Sequence, residues 1–290
     1  MKPAAFEYHA PESIGDVTAL LAEHGDDAKV LAGGQSLVPM LALRLTRFEH
    51  IIDLNRVDEL SGVERSNGTL TVRSMTRQSA VEHDTAAGEA VPLLAQAIPL
   101  IGHFQIRNRG TVGGSIAHAD PASELPAVAL ALDAELEIAG SKGTRSISAA
   151  DFFVGTWTTT IESDELLSAV RFPVWSGRSG FAVEEVARRS GDFALAGVVA
   201  AVELNDAGAV ARSAISFLGM APTPVRARTA EQELNGTSPS APELAEIARL
   251  AVGETEPTAD VHASAEYRKH VGAHLVERAL DRAMGAARRG

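Results

Sequence analysis

Two glycine pairs restrict what this chain can build. Gly33-Gly34 lies in "LAGGQSLVPML" and Gly113-Gly114 in "GTVGGSIAHADP". The first pair follows a short apolar strand and opens a helical turn, and the second repeats the arrangement. Glycine reaches positive φ and carries no Cβ to hold a ligand off the backbone. N–H groups exposed at such a turn form an anion site. Gln35 and Ser36 add side-chain donors to the first loop, and Thr111 and Ser115 add theirs to the second. Two loops of this kind can share the charge of a diphosphate without a lysine. The sequence has no G-x-G-x-x-G and no G-x-x-x-x-G-K-[ST]. Without a P-loop lysine, phosphoryl transfer is disfavoured.

At 290 residues the chain is long enough for two domains with separate cores. Aromatic residues make up only 4%, so those cores must be aliphatic. A net charge of −12 argues against nucleic acid and against an anionic membrane surface. No cysteine is present, so the chain itself holds neither a disulfide nor a cysteine-ligated iron–sulfur cluster. The start, "MKPAAFEYHAPES", lacks the apolar core of a secretory signal, and no apolar run reaches the ~18 residues of a membrane span. These features predict a cytoplasmic protein.

Ser13 is placed to cap a helix through "IGDVTALLAEHG", which Gly25 ends. "AKVLAG", "HIIDL", "GTLTVRSM" and "AELEIAG" read as strands. "QSAVEHDTAAGEAVPLLAQAIPLIG" reads as helix in two pieces divided near Pro92. Asp120-Pro121 reads as a helix start, and Pro126 as a break or second start. "RFPVWSGRSG" is the linker candidate, at 174–180, which gives domains 1–176 and 177–290. Beyond it, "GVVAAVELNDAGAVARSAISFLGM" is a hairpin turning at "NDAG". "TPVRARTAEQELNG", "APELAEIARLAV" and "SAEYRKHVGAHLVERALDRAMGAARR" then read as helices, which makes the second unit a compact α+β domain.

"AGGQSLVPMLALRL" together with "IRNRGTVGGSIAHADPASELP" resembles the FAD-binding medium subunit of the molybdenum hydroxylases, the group of carbon monoxide dehydrogenase and xanthine dehydrogenase. "RRSGDFALAGVVAAV" and "ASAEYRKHVGAHLVERAL" extend the likeness over essentially the whole chain. The resemblance implies an α+β fold: a two-subdomain FAD-binding domain of the vanillyl-alcohol-oxidase (PCMH) type, followed by a smaller α+β domain. It implies FAD on this chain, with a molybdopterin cofactor on a large partner subunit and two [2Fe–2S] clusters on a small one. A dimer of heterotrimers is the assembly it suggests.

Carried over by motif, Ala32, Gly33, Gly34, Gln35, Ser36 and Leu37 wrap the FAD pyrophosphate, and Thr111, Gly113, Gly114 and Ser115 form the second loop. Ile101 lines the cofactor, and Leu167 lies beside the adenine. Glu124 stands where relatives commonly carry Asp, there to bond the adenosine ribose. Phe193 stands near the isoalloxazine, where relatives often have Tyr; the alternative is an ordinary core aromatic. His118 and Ala119 fall at the wall of the flavin cleft, Asp120 is read as a helix cap, and Arg188-Arg189 as a surface or inter-subunit pair. No catalytic or metal-binding residue is assigned, because flavin chemistry belongs to the cofactor. Two other readings remain open at this point: a stand-alone flavin oxidase or reductase, and a cofactor-free scaffold.

Overall fold

The computed structural model describes residues 2–290. Its first unit is a parallel sheet of β1 (Glu7–His9), β2 (Ala28–Leu31) and β3 (His50–Asp53), in the order β1-β3-β2. Parallel neighbours need crossover connections, and α1 (Ile14–His24) and α2 (Leu37–Leu43) supply them. Ser13 Oγ caps α1 by accepting the Asp16 N–H at 3.1 Å. Val17 and Leu21 of α1 are buried in one cluster with Ile52 and Leu54. The first glycine pair therefore leaves the carboxyl end of β2, where open parallel sheets present ligands.

A second, antiparallel sheet comprises β4 (Val63–Ser66), β5 (Thr69–Arg73), β6 (Glu135–Gly140) and β7 (Gly143–Ser148). Beyond α9 (Ala149–Phe152), the small hairpin β8 (Phe153–Gly155) and β9 (Thr158–Thr159) leads into β10 (Glu165–Pro173). β10 threads back to the centre, giving the order β4-β5-β10-β6-β7.

Between β5 and β6 run α3 (Gln78–Glu82), α4 (Thr85–Ala90), α5 (Pro92–Ala97), α6 (Phe104–Arg109), α7 (Val112–His118) and α8 (Glu124–Ala131). Two sequence expectations are corrected here. The helical stretch breaks before Pro92 as well, because Asp84 caps α4 by accepting the Ala87 N–H at 3.0 Å. Asp120-Pro121 does not start a helix: Asp120 Oδ1 accepts the Ala122 N–H at 2.9 Å in a turn, and α8 begins at Glu124. Pro126 sits in the first turn of α8, where no intrahelical donor is lost.

The loop 174–177 leads to a third sheet, β11 (Arg178–Ala187), β12 (Ala194–Leu204), β13 (Val210–Leu218) and β14 (Val225–Arg226), antiparallel and in that order. α10 (Arg228–Leu234), α11 (Ala241–Gly253) and α12 (Ala265–Arg289) follow. Val225-Arg226 is thus strand rather than part of the expected helix; it pairs with Ser216 and Phe217. From Ala194 to Val202 β12 carries only apolar residues and one glycine, as a strand buried on both faces does, and Glu203 near its end pairs with Arg212. Ala196, Val198, Ala200 and Val202 join the core under α10 to α12. Val199 and Ala201 point the other way, into the core built by α5, α7 and α8. Gly180 of β11 meets α12 so closely that a Cβ would overlap the Ala283 carbonyl and lie 2.6 Å from the Ala287 nitrogen. The chain is α+β, as its sequence implies.

Candidate functional site

The two glycine loops touch. A Cβ on Gly33 would overlap the Arg109 carbonyl and stand 2.8 Å from Gly110 Cα. A Cβ on Gly114 would stand 3.2 Å from Ala32 Cβ and 2.6 Å from Thr111 Oγ1. Glycine is required at these positions for contact between the loops, and at Gly34 also for a φ of 73°.

Their backbones differ in what they leave free. In the first loop the N–H groups of Gly33, Gly34, Gln35, Ser36 and Leu37 donate to no protein acceptor among the described residues. The Gly33 carbonyl is instead taken by Gln35 Nε2 at 3.2 Å, which folds that side chain back and leaves the amides open. In the second loop the amides from Val112 to Ser115 are spent, and only that of Thr111 stays open among the described residues. Val112 N–H donates to Thr76 O at 3.0 Å, Gly113 to Ser74 O at 2.9 Å and Ser115 to Thr111 O at 3.1 Å. Gly114 donates to Thr111 Oγ1 at 3.0 Å, making Thr111 the N-cap of α7. The expectation of two amide cradles is therefore corrected to one. The second loop offers hydroxyl protons from Thr111 and Ser115, and its glycines serve close packing: a Cβ on Gly113 would lie 2.6 Å from Ser74 Cα.

A polar clamp ties the loops from behind. Asn55 Nδ2 donates to the Ala32 carbonyl at 3.1 Å. Arg77 Nη2 donates to Asn55 Oδ1 at 2.5 Å, and Arg77 Nη1 donates to the Arg109 carbonyl. Asp53 accepts from Asn55 and, at 2.6 Å, from the Tyr8 hydroxyl. Burial, together with the nearby Arg109 charge, pulls Arg77 below the usual arginine range. Sequence reasoning missed Asn55 and Arg77, which belong to no motif. The only available signal was that Asn55 follows β3 at the same sheet end as the first loop.

The remaining candidates gather on both sides of the loops. Ile101 is half-buried against the core. The segment it opens lines a cleft of about 400 Å³ with Gly102, His103, Phe104, Arg107 and Ser190. Gly191, at φ 85°, packs so tightly on the His103 ring that a Cβ would stand 2.6 Å from Nδ1. The structure thus brings the Ile101 segment together with the loop that carries Phe193. Phe193 is 65% exposed, which rules out the core-aromatic reading. Leu167 is buried within the core and shows little surface to any ligand. Arg188 and Arg189 are exposed, as read, and Arg188 lies 3.0 Å from His262 Nδ1.

His118 stacks on Trp157, with ring centroids 6.5 Å apart and an interplanar angle of 12°. Burial lowers the His118 pKa against the pull of the Asp120 carboxylate. Trp157 donates its indole N–H to Asp120 Oδ2 at 3.1 Å and its amide to the Ala119 carbonyl at 3.1 Å. Ala119 and Trp157 both hold positive φ, at 52° and 55°. Trp157 is the other residue the sequence did not single out.

Glu124 is buried in the first turn of α8, 6% exposed. Burial raises its pKa to about 8, and the Glu185 carboxylate adds to the effect. Burial likewise raises Glu185 to about 7, and its Oε2 has no hydrogen-bond partner among the described residues. The sign of the pH dependence follows. Above about pH 4.5 the unfolded chain releases the Glu124 proton while the folded chain keeps it to about 8. Stability therefore falls as pH rises between those values. Glu124→Gln should flatten this slope and be the more stable protein at pH 8, by up to a few kcal/mol at ~1.4 kcal/mol per pKa unit. Urea midpoints of both proteins across pH 5 to 8 provide the check; parallel slopes would refute the assignment.

Comparison with known proteins places these features in context. Residues 4–175 match the family described as FAD binding domain in molybdopterin dehydrogenase. Residues 181–283 match the CO dehydrogenase flavoprotein C-terminal domain. The chain is 40% identical over 288 residues to the 6-hydroxypseudooxynicotine dehydrogenase complex subunit alpha of Paenarthrobacter nicotinovorans, covering 99% of this chain and 97% of that one. It is 38% identical to the carbon monoxide dehydrogenase medium chain of Hydrogenophaga pseudoflava, with 98% of each chain covered. A solved carbon monoxide dehydrogenase from Hydrogenophaga pseudoflava superposes with a TM-score of 0.96 at 38% identity, covering 99% of both chains.

Proposed function

The chain belongs to the family of FAD-binding subunits of the molybdopterin dehydrogenases, and from that premise we propose that it is the electron-transfer subunit of a multi-subunit molybdenum hydroxylase. It is an oxidoreductase subunit with a PCMH-type FAD-binding domain and a carbon monoxide dehydrogenase flavoprotein-like C-terminal region. The observation that carries the reading is the run of open amides from Gly33 to Leu37, pressed against a second loop that contributes hydroxyls. This donor set fits a dinucleotide diphosphate: it supplies N–H and O–H donors, and the missing Cβ atoms let the two loops close on one another.

In this proposal the amides of 33–37 and the hydroxyls of Thr111 and Ser115 hold the pyrophosphate. Glu124, as a neutral carboxyl, meets the adenosine ribose. His118, Ala119 and Ile101 wall the flavin side, and Phe193 offers an apolar face to the ring. Bound FAD supplies the step between one-electron and two-electron carriers. The protein would hold and orient it, with the His118 imidazole nearby. A large partner would carry the molybdenum centre at which substrate is hydroxylated, a small partner would carry two [2Fe–2S] clusters, and an external acceptor would take the electrons. The expected assembly is a dimer of heterotrimers in the cytoplasm; among the described residues no helix is long and apolar enough to cross a membrane.

Co-expression with partner subunits from the same operon tests this reading. The complex should carry one FAD per copy of this chain, and substrate should bleach the flavin absorbance only when the iron–sulfur subunit is present. Bleaching by a substrate of the isolated chain would instead establish a stand-alone flavoenzyme.

A further inference from the structure

Three histidines meet against the first sheet, His50 at the end away from the glycine loops and His9 in register with Ile52, nearer to them. His9 ends β1, His24 ends α1 and His50 begins β3. One ring nitrogen from each lies within 4.8 Å of one from each of the others. His9 Nε2 and His50 Nδ1 are 3.1 Å apart, and Glu7 Oε2 is 3.5 Å from the same His50 nitrogen. A tetrahedral metal centre with bonds of about 2.05 Å has ligand–ligand edges of about 3.3 Å, so both distances suit shared coordination. His24 stacks on His50 at 3.7 Å between centroids. Turning it about the soft terminal torsion of a histidine is enough to aim its nitrogen inward.

The geometry points to a site for a borderline divalent cation of the zinc class, held by His9, His24 and His50 with Glu7 or water as fourth ligand. Imidazole nitrogens with a carboxylate suit zinc rather than calcium or magnesium, which prefer all-oxygen shells. None of these residues belongs to the flavin loops, although Tyr8, between Glu7 and His9, bonds Asp53 of the clamp behind them. His50 pairs with Ala28 at the start of β2, and the loop at 32–37 leaves the far end of that strand, about 10 Å along it. A bound cation would join a three-residue edge strand, a helix end and the central strand of the sheet. It would act as a staple on the N-terminal subdomain and stabilise the fold by mass action.

The test uses the full-length chain without an affinity tag, titrated with Zn²⁺ and with Co²⁺ as a spectroscopic probe. One equivalent should bind per chain, with the visible bands of tetrahedral cobalt displaced by zinc, and the melting temperature should rise. His9→Gln, His24→Gln and His50→Gln should each weaken binding at least ~100-fold, since even the loss of an outer-shell partner costs 10- to 100-fold. The exposed pair His270 and His274, one helical turn apart on α12, is the competing surface site. The His270→Gln/His274→Gln protein should bind as the parent does. X-ray absorption of the zinc-loaded parent should count three imidazole nitrogens, a readout that needs no variant. Binding that survives the single substitutions, or that vanishes with His270 and His274, would overturn the site.

Discussion

Gly33→Val should fold and yet fail to retain FAD. The new side chain has nowhere to go but into the Arg109 carbonyl and Gly110, which are backbone and cannot swing aside. The second loop must retreat, or the first must twist and turn its amides away. Overpacking of this kind costs about 1–3 kcal/mol. If it falls on the bound geometry, flavin affinity drops roughly 10- to 100-fold. Gly253→Ala is the matched control, because a Cβ there meets nothing within 4 Å. The measurement is the flavin-to-protein ratio after purification, with circular dichroism to show that the fold persists. Full flavin occupancy in Gly33→Val would mean that contact between the loops is not what holds the cofactor.

Arg226→Met should give the largest loss of stability of any single change at the junction of the sheets. Arg226 and Glu231 are both 6% exposed in their side chains, with Nε to Oε1 at 2.7 Å. Arg226 also reaches across to Asp133 Oδ1 at 2.6 Å and the Leu130 carbonyl at 3.2 Å. Burial works against its charge, but the hydrogen bonds to Glu231 and Asp133 outweigh that and raise its pKa. Methionine would leave Glu231 as a buried anion answered by the Ile215 N–H at 2.8 Å and, more distantly, by the half-exposed Arg228 at 3.7 Å. Breaking a buried pair in this way costs about 3–5 kcal/mol. The double change Arg226→Met with Glu231→Gln should recover a good part of the loss, since the orphaned charge is then gone. Denaturant melts of the four proteins of the cycle decide it. A double variant as unstable as the sum of its singles would mean that the two side chains act independently.

Much of this architecture could be read from residue order alone, for identifiable reasons. Ser13, Gly25 and the stripe of Val17 and Leu21 specify α1 locally, and the helix forms as they indicate. β12 and its partner are long apolar runs split by "NDAG", a pattern with few alternatives. The departures arise where a side chain chooses a tertiary partner over a local one. Asp120 looks like a cap, but one oxygen closes a turn onto Ala122 and the other accepts the indole N–H of Trp157, 37 residues away. Val225-Arg226 has the composition of a helix start, but Ser216 and Phe217 present an open strand edge. At the site, the glycine motifs located both loops but could not show which amides would stay free. That depends on Ser74 and Thr76, which reach the second loop from the end of β5 and appear in no motif. The clamp of Asn55 and Arg77 was invisible for the same reason: its parts lie far apart in sequence and converge only after three elements have folded.

The alternation along β12 bears on how the polypeptide can be divided. Val199 and Ala201 complete the greasy interior of the half that precedes the 174–177 loop, while their neighbours complete the other half. A cut at that loop severs one peptide bond but bares a hydrophobic wall on each fragment. Either half, made alone, should therefore aggregate more readily than the whole, because the face its partner covers would meet water.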